Sequence, residues 1–187
     1  MFFTPENAEK VKQGTKTETR RDWKFQHVYA GRIYPVRLSR KDPVPPDATY
    51  IRIVTVYMER LGVITDDAVV REGFDTREDF FAIWKELHGT VDMDKEIYVV
   101  RFCIATPLDI FKHQFSQVLY GKKPGKEKAV AVTLPDGRVC VSDSYNIVQN
   151  QPGSPDGPWI RLFHTGKVVG AINVKGINGR IRVAGVD

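Results

Sequence analysis

Gly14-Thr15-Lys16-Thr17-Glu18-Thr19-Arg20-Arg21 mixes hydroxyls with charges and holds no apolar side chain. Such a segment reads as too polar for a core strand, because each buried charge would need a partner. Lys16, Arg20 and Arg21, with Trp23, Lys24 and Phe25 just downstream, set phosphate grips beside rings on which a base can stack. That combination suits single-stranded nucleic acid or a nucleotide. A solvated polar loop is the competing reading of the same residues.

The flanking segments carry clearer local signals. Thr4, Pro5 and Glu6 open a helix that Gly14 stops, with the cap, the first-turn proline and the terminal glycine in the expected order. Residues 33–38 read as a strand that Pro35 places on an edge. Residues 41–47, with three prolines, are loop. Residues 50–58 are β-rich and apolar at nearly every position, which predicts a central strand covered on both faces. Thr65-Asp66-Asp67-Ala68 starts a short helix ended by Gly73, and Thr76-Arg77-Glu78-Asp79 has capping-box spacing. The helix it opens carries an apolar stripe of Phe80, Ile83, Trp84 and Leu87 and stops at Gly89. Residues 96–105 close the series as another strand. Helix, strand, strand, two helices and strand describe an α+β unit over residues 1–105.

The remainder differs in character. Leu108, Phe111, Phe115, Val118 and Leu119 share a helical face, and Lys122, Lys123, Lys126 and Lys128 follow in a loop, so residues 106–128 read as a linker helix with a basic loop. Residues 129–187 form a small β-rich appendage of hairpins. Pro135-Asp136-Gly137, Thr165-Gly166 and Asn178-Gly179 mark its turns, and residues 151–158 form a Pro/Gly-rich loop. Lys167, Lys175, Arg180 and Arg182 offer this part a phosphate-facing strand, although charged strands also serve to prevent edge-to-edge aggregation.

Composition bounds the function. The chain has 187 residues, 42% hydrophobic and 11% aromatic, enough for a packed core. Residues 1–64 carry 12 basic and 7 acidic side chains, 65–96 carry 4 and 10, and 97–187 carry 12 and 6. An acidic middle between basic ends admits nucleic acid as a partner. No apolar run approaches a bilayer span and no signal peptide is evident, so no membrane partner is expected and the chain reads as cytoplasmic, with reduced thiols at Cys103 and Cys140. His27, His88, His113 and His164 are scattered, without a second ligand at metal-binding spacing, and glycine-rich phosphate loops are absent. No metal and no cofactor are expected. Oligomeric state is left open by the sequence.

Gly14-x-Lys16-x-x-Thr19-x-Arg21 resembles the Gly-x-Lys-x-x-Glu-x-Arg signature of ASCH domains, with Thr19 at the Glu position. Leu61-Gly62-x-Ile64-Thr65-x-Asp67-Ala68, then Glu72-Gly73-Phe74, the Phe80–Trp84 helix and Leu87-His88-Gly89 are similar, element by element, to small bacterial and phage ASCH proteins. The likeness covers residues 1 to about 105 and not the remainder. It implies a PUA-like mixed β-barrel with flanking short helices and a cleft for RNA or modified nucleosides. Some members of the family are amidohydrolases on N(4)-acetylcytidine that use a Lys, a Thr and a Glu. By position, the resemblance places those catalytic roles on Lys16, Thr19 and Glu72, while Arg20, Arg21, Trp23 and Lys24 remain the ligand-binding residues that the charge and ring pattern suggests. A threonine at the signature's Glu position is what those amidohydrolases show. Ribonuclease activity also occurs in the wider family, and a non-catalytic nucleic-acid-binding module is the main alternative.

Two physical requirements follow. A threonine hydroxyl attacks only if a base takes its proton, and a lysine serves as that base only if burial or nearby cations lower its pKa. Glu72 would act in the opposite sense on Lys16. Positions 16 and 19 also point to opposite faces of a straight strand, so a shared site requires a bend through Thr17-Glu18.

Overall fold

In the computed structural model, α1 (Pro5–Gln13) starts where Thr4 Oγ1 accepts a hydrogen bond from the Asn7 amide at 3.3 Å. It ends at Gly14, whose φ of 79° is open to glycine at little cost. The structure describes residues 1–41, 43–45, 47–120, 129–148, 158–174 and 181–185. The left-handed turn redirects the chain, and the amides of Thr15 and Lys16 both donate to the Lys10 carbonyl. β1 (Glu18–Arg21) follows directly. This strand is buried, which corrects the sequence expectation that so polar a segment stays out of the core. The charges of Glu18 and Arg20 enter the interior because each finds opposite charges there.

β2 (Ile33–Pro35), β3 (Tyr50–Arg60) and β4 (Glu96–Ile104) complete an antiparallel sheet in the order β1-β4-β3-β2. Pro35 sits on the edge strand, where its missing amide hydrogen costs no ladder bond. The four-stranded sheet ends at β1 and β2, with an isolated parallel bridge from Phe2 to Arg37 just past β2, so among the described residues strand pairing does not close the barrel expected from the sequence. The strand covered on both faces is β4, not β3. Ile97 packs with Leu61, Val69, Phe80 and Trp84, while Val100 and Phe102 pack with Phe3, Val11, Ile51 and Ile53. β3 buries Ile51 and Ile53 but exposes Val54, at a register shift, and Met58.

After a 3-10 turn over Leu61–Val63, α2 (Asp66–Arg71) is capped by Thr65, and α3 (Arg77–His88) by Thr76, whose Oγ1 accepts from the Asp79 amide at 3.1 Å. α2 ends on Glu72, and Gly73 leaves it with φ 85°. Met1–Ala105 forms one compact unit and Thr106–Asp187 a second.

In the second unit, α4 (Pro107–Leu119) begins with a capping box between Thr106 and Asp109. It supplies Phe111 and Phe115 to a core with Val130, Val132, Leu134, Ile160, Leu162 and Ile172, so it is part of that core and not a bare linker. β5 (Val130–Thr133) and β6 (Val139–Ser142) flank the turn at Gly137, and β8 (Trp159–His164) and β9 (Lys167–Asn173) flank Thr165-Gly166. β7 (Ser144–Val148), not foreseen in the sequence, pairs with β8, and β10 (Arg182–Gly185) pairs with β5. The sheets run β10-β5-β6 and β7-β8-β9. Lys122, Lys123, Lys126, Lys128, Lys175, Arg180, residues 151–157 and the Asn178-Gly179 turn lie outside the described residues. Among the described residues no helix is long and apolar enough to cross a membrane.

Candidate functional site

β1 pairs with a neighbour on one side only. Its register, Thr19 opposite Val100 and Arg21 opposite Tyr98, puts these two side chains on the face that also holds Phe3 and Trp23. Glu18 and Arg20 point to the other face. There the fully buried Glu18 carboxylate accepts from Arg20 at 2.8 Å, Arg71 at 2.9 Å and Arg101 at 2.7 Å. Burial pulls the Glu18 pKa upward, but the hydrogen bonds from Arg71 and Arg101 and the charge of Arg20 outweigh it and hold it below the ordinary carboxylate range. Arg20 also donates to Glu59 from Nε and Nη2, at 3.0 and 2.5 Å. Its guanidinium is thereby committed to carboxylates and is not free to grip a phosphate.

Lys16 lies ahead of the strand, in the stretch that Gly14 bends. The Thr17 amide donates to the Arg71 carbonyl, tying this stretch to α2. Glu72, at the end of α2, turns its carboxylate back onto both parts of the segment. Its Oε2 accepts from Lys16 Nζ at 2.5 Å, its Oε1 accepts from the Arg20 amide, and its backbone carbonyl also accepts from Lys16 Nζ. Gly73 makes the approach close: a Cβ there would stand 3.1 Å from Lys10 Cδ and 3.5 Å from Lys16 Cβ. Lys10 Nζ donates to the Gly73 carbonyl at 2.9 Å. Burial pushes the Lys16 ammonium below the ordinary lysine range, Glu72 pulls it up, and Arg21 and Lys10 push it down; the net shift is downward. Burial wins the contest that the sequence left open.

Lys16, Thr19, Arg21, Trp23 and Glu72 all line one cleft of about 340 Å³ that wraps the free edge of β1. The turn at Gly14 comes before Lys16, and positions 16 and 19 share the cleft because it wraps around the free edge of β1 and not through a bend between them. Thr19 is 4% exposed, and its hydroxyl makes no hydrogen bond among the described residues. Arg20 also borders the cleft, whereas Lys24 is exposed and does not. The opposite wall, absent from the sequence reading, comes from Phe74 and from Ile83, Leu87 and His88 of α3. Phe80 and Trp84 of the apolar stripe turn inward, while Ile83 and Leu87 remain 40% and 66% exposed beside the cleft. The His88 ring stacks on Trp84 with centroids 4.2 Å apart. A shallow hollow of about 440 Å³ near Asp66, Asp75 and Arg77 contains none of the predicted groups and no convergent set of catalytic residues. Among the described residues no cluster of three metal-ligating side chains occurs.

No family model and no curated protein matches this chain. The structure is similar to the crystal structure of an ASCH domain from Lactobacillus crispatus JV V101, at 15% identity over 53% of this chain and 70% of that chain, with a TM-score of 0.39. A likeness of that degree leaves function to be read from the cleft itself.

Proposed function

We propose that this chain is an ASCH-type protein that takes RNA or a modified nucleoside into the β1 cleft and hydrolyses the amide of an N(4)-acylated cytidine. The observation that supports this is the meeting of Lys16, Thr19 and Glu72 in one hollow, with the Lys16 pKa driven down by burial. In this mechanism the neutral Lys16 amine takes the proton of the Thr19 hydroxyl as its oxygen attacks the acyl carbon. The tetrahedral intermediate expels the exocyclic nitrogen, which receives that proton from Lys16 and leaves as cytidine. Water then adds to the Thr19 ester, giving its proton to Lys16, and collapse releases the carboxylic acid and restores the hydroxyl. Glu72 is the positioning residue: it fixes Nζ from two directions and anchors β1 through the Arg20 amide. The exposed apolar edge of α3 and the ring of Trp23 supply surfaces for a pyrimidine.

The test is release of acetate and cytidine from N(4)-acetylcytidine by wild type, Lys16→Ala, Thr19→Ala and Thr19→Ser. Turnover is expected in wild type, a loss of about 100-fold or more in both alanine variants, and partial recovery in Thr19→Ser. Wild type without turnover on any acylated cytidine overturns the hydrolase. A second reading, a non-catalytic nucleic-acid-binding module, is favoured by Lys24 and the exposed rings of Phe25 and Tyr29 in the segment after β1. It predicts RNA affinity that falls steeply with salt, measured at two salt concentrations beside the amidase assay.

A further inference from the structure

The charges around the cleft do not all cancel. Lys16 is matched by Glu72, and Arg20 by Glu18, Glu59 and Glu72. Asp22 is matched by Lys95 at 2.5 Å, with His88 Nδ1 at 3.9 Å. Arg21 has no such partner: among the described residues it makes no ion pair. Its Nη2 donates to the Phe2 carbonyl at 2.7 Å, its guanidinium lies 5.2 Å from the Phe3 ring centroid, and its Nε is buried without a hydrogen-bond partner. Arg21 thus lines the cleft with its charge balanced by no paired carboxylate, an arrangement that favours an anion beside it.

We infer that Arg21 is an anion subsite of the cleft, and that the ligand is a phosphorylated nucleoside, as a mononucleotide or as a residue within RNA, rather than the neutral nucleoside. The inference rests on the nucleoside reading above and adds the phosphate to it. Arg21 and Thr19 are two residues apart on one strand face, about 7 Å, so phosphate and base engage the same face at different points. The first turn of α1 reinforces the site, since Thr4 and Asn7 border the cleft and the helix's positive end faces it. The acid in that turn, Glu6, is held by Lys10 at 2.8 Å. A guanidinium packed on Phe3 and held by the Phe2 carbonyl is oriented in advance, and its charge suits a phosphate.

The test is calorimetric binding of cytidine, cytidine 5′-monophosphate, inorganic phosphate and a cytidine-centred RNA trinucleotide to the full chain, for wild type, Arg21→Gln and Arg21→Lys, with thermal melts to establish folding. Wild type is expected to favour the monophosphate over cytidine by about 10-fold or more, with the preference lost in Arg21→Gln and partly kept in Arg21→Lys. Tighter binding of the trinucleotide identifies RNA as the source of the phosphate, and parity identifies the mononucleotide. Inorganic phosphate binding that requires Arg21, without cytidine binding, supports the anion subsite and removes the nucleoside reading. Equal affinity for cytidine and its monophosphate, or a preference that survives Arg21→Gln, overturns the anion subsite and leaves the nucleoside reading intact. No binding of any of the four overturns both.

Discussion

Glu18→Gln removes one negative charge while keeping the side chain's shape, so it tests whether ion pairing is what allows β1 to be buried. Arg20 is 1% exposed and loses one of its carboxylates, a charged hydrogen bond worth about 1.5–3 kcal/mol, while Glu59 and Glu72 still hold it. Arg71 and Arg101 are 33% and 42% exposed and recover water, so each contributes only about 0.5 kcal/mol. The new amide also turns hydrogens toward guanidinium donors. The expected loss is about 3 kcal/mol, or a melting temperature lower by about 12 °C for a unit of this size. Urea unfolding followed by far-ultraviolet circular dichroism measures it. The dependence on pH has a definite sign. The folded pKa of Glu18 lies below its ordinary 4.5, so its stabilisation is whole above that value and is lost as pH falls through the folded value. The advantage of wild type over Glu18→Gln is therefore flat from about pH 5 to 8 and shrinks below about pH 4. A loss under about 1 kcal/mol at pH 7, or one that persists undiminished into acid, refutes the ion-pair account.

Three further outcomes are expected. Turnover of an acylated cytidine rises with pH through the lowered Lys16 pKa, and Glu72→Gln, which removes the charge that raises it, moves the rise to lower pH; a shift to higher pH contradicts the pairing. Gly73→Ala, at φ 85° and against Lys10 and Lys16, costs about 1–2 kcal/mol and depresses turnover, whereas Gly89→Ala, at φ 80° with nothing within 4 Å, costs about as much in denaturation and leaves turnover unchanged. Phe111→Ala, at a site 1% exposed in the core of the second unit, costs about 3–5 kcal/mol by urea unfolding.

What the sequence disclosed was governed by local rules. The boundaries of α1, α2 and α3 follow from Thr4, Thr65 and Thr76 and from Gly14, Gly73 and Gly89, because capping is settled within a few residues. The burial of β1 was not legible, since Glu18 and Arg20 are compensated by Glu59, Arg71, Glu72 and Arg101, about 40 to 80 positions away, and no local window contains them. The cleft wall was hidden for a related reason. Ile83 and Leu87 share a stripe with Phe80 and Trp84, and only the packing of α3 decides which of the four face inward. Lys16, Thr19 and Glu72 were named through the family resemblance, and spacing alone argued against uniting the first two, which meet only because the cleft wraps the edge of β1.

Glu72 also has a consequence for the edge of the sheet. Its carboxylate occupies an amide on the outer rim of β1, where a further strand would otherwise zip on. A side chain thus takes the place of a neighbouring strand at this one amide of the rim. Removing that carboxylate frees this rim amide and at the same time leaves the buried Lys16 ammonium without its counter-charge.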